Sequence, residues 1–129
     1  MLIVKPILDR ALQEELCKQC NITFDPEFLS FSAYDNDNFI GMCQFTVSGS
    51  IAIAKDLRLK PGIQDFEAAF IMSRGALNYI DLCGFHTARC SSAAGDITLL
   101  RSIGFKEIGE DLYEMNLSEE FNGKCSNCQ

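Results

Sequence analysis

The sequence predicts an α/β fold, with a single domain in which a mixed, mainly antiparallel sheet is flanked by helices. Strand-like and helix-like segments follow one another in the order β-α-β-β-β-α-β-α-β-β, which is typical of a sheet with helices on its faces. The length of 129 residues is that of one ordinary domain. Hydrophobic residues make up 47% of the chain and include ten phenylalanines, so the domain has enough apolar side chains to form a core.

The chain begins with a short apolar strand, "MLIVK", which Pro6 ends. A helix is predicted next, because apolar residues recur at spacings of three and four with charged residues on the other faces. The residues of this apolar stripe are Ile7, Leu8, Ala11, Leu12 and Leu16. The helical pattern is broken at Asp25-Pro26, within "NITFDPEF".

Three strands are predicted after this break. "FLSFSAY" and "FIGMCQFTV" are joined by the Asn- and Asp-rich segment "DNDN", which indicates a tight β-hairpin. The turn "SGS" then leads into the third strand, "IAIAKDLRL".

The longest helix is predicted from Gln64 to about Leu82, and Gly84 is well placed to end it. One apolar stripe runs along this helix and comprises Phe66, Ala69, Phe70, Leu77 and Ile80.

The C-terminal part of the domain is predicted to contain a strand, "FHTARC", and a short helix within "AAGDITLLRSIGF", capped near Asp96 and ended by Gly104. Two further strands, "KEIG" and "DLYEMNL", complete the sheet. We assign residues 1–118 to the folded domain. Residues 119–129 are expected to form a flexible, cysteine-containing tail, because their sequence is polar and rich in Asn and Gly.

The composition narrows the class of protein. With 18 acidic and 11 basic residues the net charge is −7, which disfavours nucleic acid and anionic membranes as partners and favours cationic ones.

No stretch of the sequence approaches the roughly 18 apolar residues of a membrane span. The N-terminal segment is interrupted by Lys5, Asp9 and Arg10, unlike a signal peptide. Seven cysteines, an odd number, suit free thiols better than a disulfide framework. We therefore expect a cytoplasmic protein.

Two local motifs, in the right order along the chain, resemble the GNAT superfamily of acyl-CoA-dependent N-acetyltransferases. In "LRLKPGIQDFEAA" the residues Pro61, Gln64 and Ala69 match the family's V-x-P segment and its Q/R-x-x-G-x-G/A motif. The second motif lies in "LLRSIGFKEIGEDLYEMNL" and is similar to the family's L-Y-x-x-x-G-F followed by two strands. Its matching residues are Leu99, Gly104 and Phe105. The resemblance spans nearly the whole chain.

The resemblance implies an acetyl-CoA site and the transfer of an acetyl group to an amine, carried by a small molecule or by a protein. It does not fix an oligomeric state, and a dimer is compatible with it. The cofactor-binding residues that it implies are Leu57, Arg58, Leu59, Gln64, Asp65, Phe66, Glu67, Ala68 and Ala69.

The sequence departs from the family pattern at two important positions. Glu67 replaces the central glycine of the first motif, and Leu100 replaces a tyrosine that protonates the departing thiolate in many members. If Glu67 points toward the cofactor phosphates, we expect coenzyme A binding to weaken roughly ten- to hundredfold; if it points to solvent, screening removes most of this penalty. The alternative is a non-catalytic protein of this fold that binds a metabolite or a protein partner, in which Asp65 and Glu67 only stabilise the helix start.

Asp56 is the candidate general base, because it is the acidic residue nearest the functional end of the strand "DLRL". The structural alternative is an ion pair with Arg58, since strand alternation places both on one side with Ala52 and Ala54. His86 is the only histidine and begins a predicted strand, where it is either catalytic or purely structural.

Cysteine supplies a further alternative. Two C-x-x-C pairs, Cys17 with Cys20 and Cys125 with Cys128, together provide the four thiolates of a zinc or iron–sulfur site. A second interpretation is that the pair in the tail is redox-active. A third is that the cysteines have no chemical role, because Cys20 also continues the apolar stripe of the first helix.

Overall fold

The computed structural model of the chain describes residues 1–123. The strands are β1 (Leu2–Pro6), β2 (Leu29–Asp35), β3 (Asn38–Ser48), β4 (Ile51–Leu59), β5 (Thr87–Cys90), β6 (Lys106–Gly109) and β7 (Leu112–Asn116). The helices are α1 (Arg10–Cys20), α2 (Phe66–Leu82) and α3 (Ile97–Ile103), with a short 3-10 turn at Ser92–Ala94. The strands form one seven-stranded sheet in the order β1-β2-β3-β4-β5-β7-β6. Each neighbouring pair is antiparallel except β4 and β5. The predicted fold class is therefore confirmed.

The β2–β3 hairpin turns at Asn36 and Asp37, as predicted. Their φ angles are 50° and 70°, which matches the type I′ turn, the turn whose twist suits a tight hairpin. This local chemistry fixes the register of the strands on either side.

Helix α1 differs from its predicted form. It begins only at Arg10, because the Asp9 carboxylate accepts hydrogen bonds from the N–H groups of Ala11 and Leu12. Leu8 is 85% exposed and Leu12 is 42% exposed, so the predicted apolar stripe is wrong in its first turns. The face that is buried instead comprises Gln13, Leu16, Cys17 and Cys20.

Helix α2 covers the other face of the sheet and forms the main core with it. Its N-terminus is capped by Asp65, and Gly84 follows its end with a φ of 102°, which confirms the predicted stop. Its buried face is Ala68, Ala69, Met72, Ser73, Ala76, Leu77, Ile80 and Asp81. Phe66 is half exposed, contrary to the predicted stripe. None of the helices within residues 1–123 has the length and apolarity needed to cross a bilayer.

A β-bulge divides β4 into two halves. Phe45 of β3 pairs with Ala54 and Gln44 pairs with Asp56, so Lys55 has no partner in that register. Because the side-chain alternation resets at this bulge, Asp56 lies on the α1 face together with Gln44 rather than on the face of Ala54. The expectation that Asp56 and Arg58 share a side with Ala52 and Ala54 is therefore wrong.

Strands β4 and β5 separate just before the bulge. Their parallel pairing covers only Ile51–Ile53 and Thr87–Arg89. Among residues 1–123, the second half of β4 consequently has β3 on one side and no strand on the other. An unpaired strand edge inside a sheet is able to bind an extended ligand through backbone hydrogen bonds.

Beyond β7 the described chain continues into a single π-helical turn at Glu119–Gly123. Phe121 is half-buried against the core, and the Arg74 guanidinium lies 4.8 Å from its ring centroid. The division of the chain into a domain of residues 1–118 and a tail of residues 119–129 stays a prediction.

Candidate functional site

A cleft of about 570 Å³ lies where β4 ends and α2 begins. It is lined by residues 57–66 together with Ala69, Asp96 and Leu99. Of the predicted cofactor-binding residues, the cleft brings together Leu57, Arg58, Leu59, Gln64, Asp65, Phe66 and Ala69. The other two do not line it, because Ala68 is buried in the core and Glu67 is exposed to solvent.

The helix start bordering this cleft has two backbone N–H groups without a hydrogen bond in the described residues, one on Phe66, which lines the cleft, and one on its neighbour Glu67. The Asp65 carboxylate accepts from Ala68 N–H at 3.0 Å, and the Asp65 carbonyl accepts from Ala69 N–H at 3.0 Å. Within residues 1–123 no hydrogen bond uses the N–H of Phe66 or Glu67, which are orphan donors of a first helical turn. Such N–H groups at the positive end of a helix dipole bind anions.

The charged side chains that line the cleft balance formally. Arg58 and Lys60 are matched by the carboxylates of Asp65 and Asp96, which cap α2 and α3 through Ala68 N–H at 3.0 Å and Thr98 N–H at 3.2 Å. Arg58 donates to the Ala93 carbonyl at 2.6 Å, which places its guanidinium at the rim between β4 and the segment before α3.

A second cleft, of about 410 Å³, opens where β4 and β5 separate. It is lined by Ile53, Ala54, Lys55, Arg89, Cys90, Ser91, Ala93, Ala94 and Leu112. Residues 53–55 of β4 line this cleft and residues 57–59 line the first. The free edge of β4 therefore connects the two clefts.

The segment between β5 and α3 approaches this edge closely at one point. A Cβ atom on Gly95 would lie 3.1 Å from the Leu57 carbonyl oxygen. A side chain here would make a tight contact, so the backbone would have to shift by a few tenths of an ångström to accept one. Gly95 and Lys55 were not among the residues that sequence reasoning selected.

The predicted base, Asp56, lies on the α1 face of β4 between the two clefts. Its Oδ2 accepts a hydrogen bond from Gln44 Nε2 at 2.9 Å. No ion pair joins Asp56 to Arg58 within the described part of the chain, so the structural alternative of such a pair is wrong. Gln44 was also missed, since only the register of β3 on β4 brings it to Asp56.

His86 lies far from the divergence of the strands. It precedes β5 at the end where β5 pairs with β4, whereas the clefts lie beyond the other end of that pairing. Its Nδ1 is 2.6 Å from Oδ1 of Asp81, whose side chain is only 1% exposed. This position and the contact with Asp81 favour the structural interpretation of His86 over the catalytic one.

The buried cysteines are protonated thiols. Cys17 donates from Sγ to Gln44 Oε1 at 3.3 Å. Burial is the main cause that raises the pKa of Cys17 to about 11 and that of Cys20 to about 12. In the described residues no three His, Cys, Asp or Glu side chains form a group that could hold a metal ion. Cys125 and Cys128 lie outside the described residues.

Leu100, at the position of the family's tyrosine, is fully buried in the core. Its neighbour Leu99 lines the first cleft. This position therefore supplies no hydroxyl to protonate a leaving thiolate.

The architecture closely matches that of solved N-acetyltransferases. Spermidine N-acetyltransferase from Vibrio cholerae superposes with a TM-score of 0.72 at 15% identity, covering 95% of this chain and 97% of the other. Aminoglycoside 6'-acetyltransferase type Ii gives 0.70 at 14% identity, covering 89% and 97%. The chain has the GNAT fold.

A third structure of similar fold contains coenzyme A. PaiA N-acetyltransferase from Thermoplasma acidophilum, in complex with coenzyme A, gives a TM-score of 0.59 at 19% identity, covering 82% of this chain and 69% of the other. No protein-family model and no curated protein sequence matches the chain. The similarity to these GNAT structures is thus one of fold, at identities too low to carry over a substrate.

Proposed function

We propose that the protein is an acetyl-CoA-dependent N-acetyltransferase. The observation that carries the proposal is the free edge of β4, which joins the cleft at the strand divergence to the cleft at the α2 N-terminus. A long, extended cofactor with phosphates at one end and a reactive group at the other suits such a path. Acetyl-CoA would supply the acetyl group as a thioester.

The residues of the first cleft fit the phosphate end of this cofactor. The N–H groups of Phe66 and Glu67 would donate to phosphate oxygens, and Arg58 and Lys60 would supply positive charge. Glu67 is exposed and does not line the cleft, so solvent screens its carboxylate from an anion bound there. We therefore expect the site to accept the cofactor despite the departure from the family glycine.

The backbone of β4 and the carboxylate of Asp56 would act at the reactive end. Donors aimed at a developing oxyanion stabilise acyl transfer, and the N–H groups on the free edge of β4 would serve the thioester carbonyl. Asp56 would take a proton from the ammonium group of the acceptor and so convert it to the nucleophilic amine.

An amine acceptor is supported by two structural neighbours, an aminoglycoside 6'-acetyltransferase and a spermidine N-acetyltransferase. The net charge of −7 favours a cationic acceptor of this kind. We propose an amine on a small molecule or a protein as the acceptor class.

A second candidate function is binding of acetyl-CoA without transfer, as in a sensor or regulatory protein. The full burial of Leu100, where many family members have a proton donor, is the observation that favours it. The two functions differ in one measurable property, since only the first releases coenzyme A when an amine is added.

The decisive experiment is calorimetric titration of the full chain with acetyl-CoA. Lys60→Glu reverses a charge inside the cleft, and we expect it to weaken binding at least tenfold. The matched control is Lys106→Glu, the same change on exposed β6 outside the cleft, which should leave the affinity within twofold. If the wild-type protein does not bind acetyl-CoA, both functions are wrong; if it binds without releasing coenzyme A to any of a panel of polyamines and aminoglycosides, the second function is favoured.

A further inference from the structure

Gln44 is a buried polar residue whose hydrogen-bonding groups are all engaged. Its side chain is 0% exposed, in the layer between α1 and the sheet. Its Oε1 accepts from Gln13 Nε2 at 3.1 Å, Ser30 Oγ at 3.1 Å and Cys17 Sγ at 3.3 Å. Its Nε2 donates to the Thr23 carbonyl and to Asp56 Oδ2, each at 2.9 Å.

These partners fix the orientation of the Gln44 amide. Reversing it would bring Nε2 against the Nε2 donor of Gln13 and bring Oε1 against the Asp56 carboxylate and the Thr23 carbonyl. Ser30 and Cys17 could turn to accept, but these three contacts would join two donors or two acceptors. The N–H that faces Asp56 is therefore set by the network and not by Asp56 alone.

The network continues from Gln44 to a cation on α1. Arg10 donates to Gln13 Oε1 at 2.6 Å, and Gln13 Nε2 donates in turn to Gln44 Oε1. Arg10 is itself held by the carbonyl groups of Ile7, Pro26 and Phe28. The three hydrogen bonds in this series all run in one direction, from the Arg10 guanidinium through Gln13 and Gln44 to the Asp56 carboxylate. Hydrogen bonds aligned in this way polarise one another.

The location of this network beside Asp56 indicates a role other than packing α1 against the sheet. The rest of the α1 interface is apolar, with Leu16, Cys20 and Met42 in its core, and a buried polar network is harder to stabilise than such a core. The polar residues are placed at the point where β3 meets Asp56, beside the bulge at Lys55. The network also anchors the segment between α1 and β2 through the carbonyls of Thr23 and Asp25.

We infer that Gln44 is a positioning residue, which holds one oxygen of Asp56 so that the other faces the acceptor amine at the divergence of β4 and β5. This inference rests on the proposed N-acetyltransferase function. In the step that it serves, a proton passes from the acceptor ammonium to Oδ1 of Asp56, leaving a neutral amine and a neutral carboxyl group. Gln44 makes no contact with the reacting atoms and acts only through Asp56.

The test compares Gln44→Leu with Ser30→Ala in the full chain. Both remove a member of the network, but only the first removes the donor to Asp56. The Asp56 carboxyl carbon is followed by ¹³C NMR at neutral pH. We expect its resonance to move in Gln44→Leu, because the carboxylate loses the hydrogen bond from Gln44 Nε2, and to move much less in Ser30→Ala, which keeps that donor.

An identical Asp56 carboxyl resonance in wild type and Gln44→Leu would overturn the inference, whether or not acetyl transfer is detected. Should Gln44→Leu fail to fold, Gln13→Leu interrupts the network one step earlier, and a smaller shift in the same direction is expected. Titration with acetyl-CoA on the same samples tests the proposed function separately. Where transfer is measurable, kcat should fall about tenfold or more in Gln44→Leu while the KM for acetyl-CoA stays within twofold.

Discussion

Gly41 of β3 lies directly opposite Leu59 of β4, and a Cβ atom on Gly41 would be 2.5 Å from the carbonyl oxygen of Arg58. Such a contact is impossible without moving backbone, since it is shorter than any normal van der Waals distance. The pairing therefore requires a glycine and holds the last residues of β4 against β3. Those residues line the cleft at the α2 N-terminus.

We predict that Gly41→Ala destabilises the fold and displaces the end of β4. Overpacking of this kind costs about 1–3 kcal/mol, measurable as a lower midpoint of urea unfolding. Gly109→Ala is the control, because a Cβ there meets only Leu112 at ordinary contact distances of 3.8–3.9 Å. If Gly41→Ala and Gly109→Ala were equally stable, the end of β4 would be able to move away from the added methyl group without loss of stability.

The contact of His86 with Asp81 gives a second prediction. His86→Ala removes one partner of a buried carboxylate, and such losses cost about 1–3 kcal/mol in the free energy of unfolding. His86→Gln, which retains an N–H donor, should recover part of this loss. Neither variant should alter acetyl-CoA affinity, since His86 precedes β5 at the end away from both clefts; a strong effect on binding would contradict the structural role.

The buried thiols predict how stability depends on alkaline pH. Burial raises the pKa of Cys20 from 9.0 to about 12, so the unfolded chain loses this proton at lower pH than the folded one. The stabilising contribution is complete below pH 9 and is lost as the pH rises toward the folded pKa, at about 1.4 kcal/mol per pH unit for each such thiol.

Cys20→Ala should therefore unfold with a shallower decline in free energy above pH 9 than the wild type. Urea unfolding at several alkaline pH values measures the slope. Cys83→Ala is the matched control, because Cys83 is exposed and should leave the slope unchanged. If the free energy of unfolding declined with pH at the same rate in Cys20→Ala and wild type, burial of the Cys20 thiol would not account for the loss of stability.

Features that depend on neighbouring residues in the sequence could be predicted. The hairpin at Asn36 and Asp37, the α3 cap at Asp96 and the α2 stop at Gly84 each follow from short-range turn or capping chemistry. The helix start that borders the first cleft belongs to this group, whereas the set of cofactor-binding residues around it is implied by the resemblance to the GNAT superfamily.

Features that depend on strand pairing could not be predicted. The bulge at Lys55 exists only in the register of β3 on β4, and it moves Asp56 to the opposite face from the one that simple alternation gives. The burial of Gln13 likewise depends on Gln44, 31 positions away in the sequence. An apolar periodicity cannot identify a polar residue that is buried because a distant amide satisfies it.

Glu67, which stands where the family has a glycine, is exposed to solvent. Because its carboxylate faces solvent rather than the cleft, we expect Glu67→Gly to change acetyl-CoA affinity by less than about threefold in calorimetric titration, the range of a screened surface charge. Asp65→Asn tests the inner carboxylate, which lines the cleft and caps Ala68. It should affect binding more strongly, since it removes negative charge beside the orphan N–H groups. A ten- to hundredfold gain for Glu67→Gly would instead place its carboxylate against the phosphates.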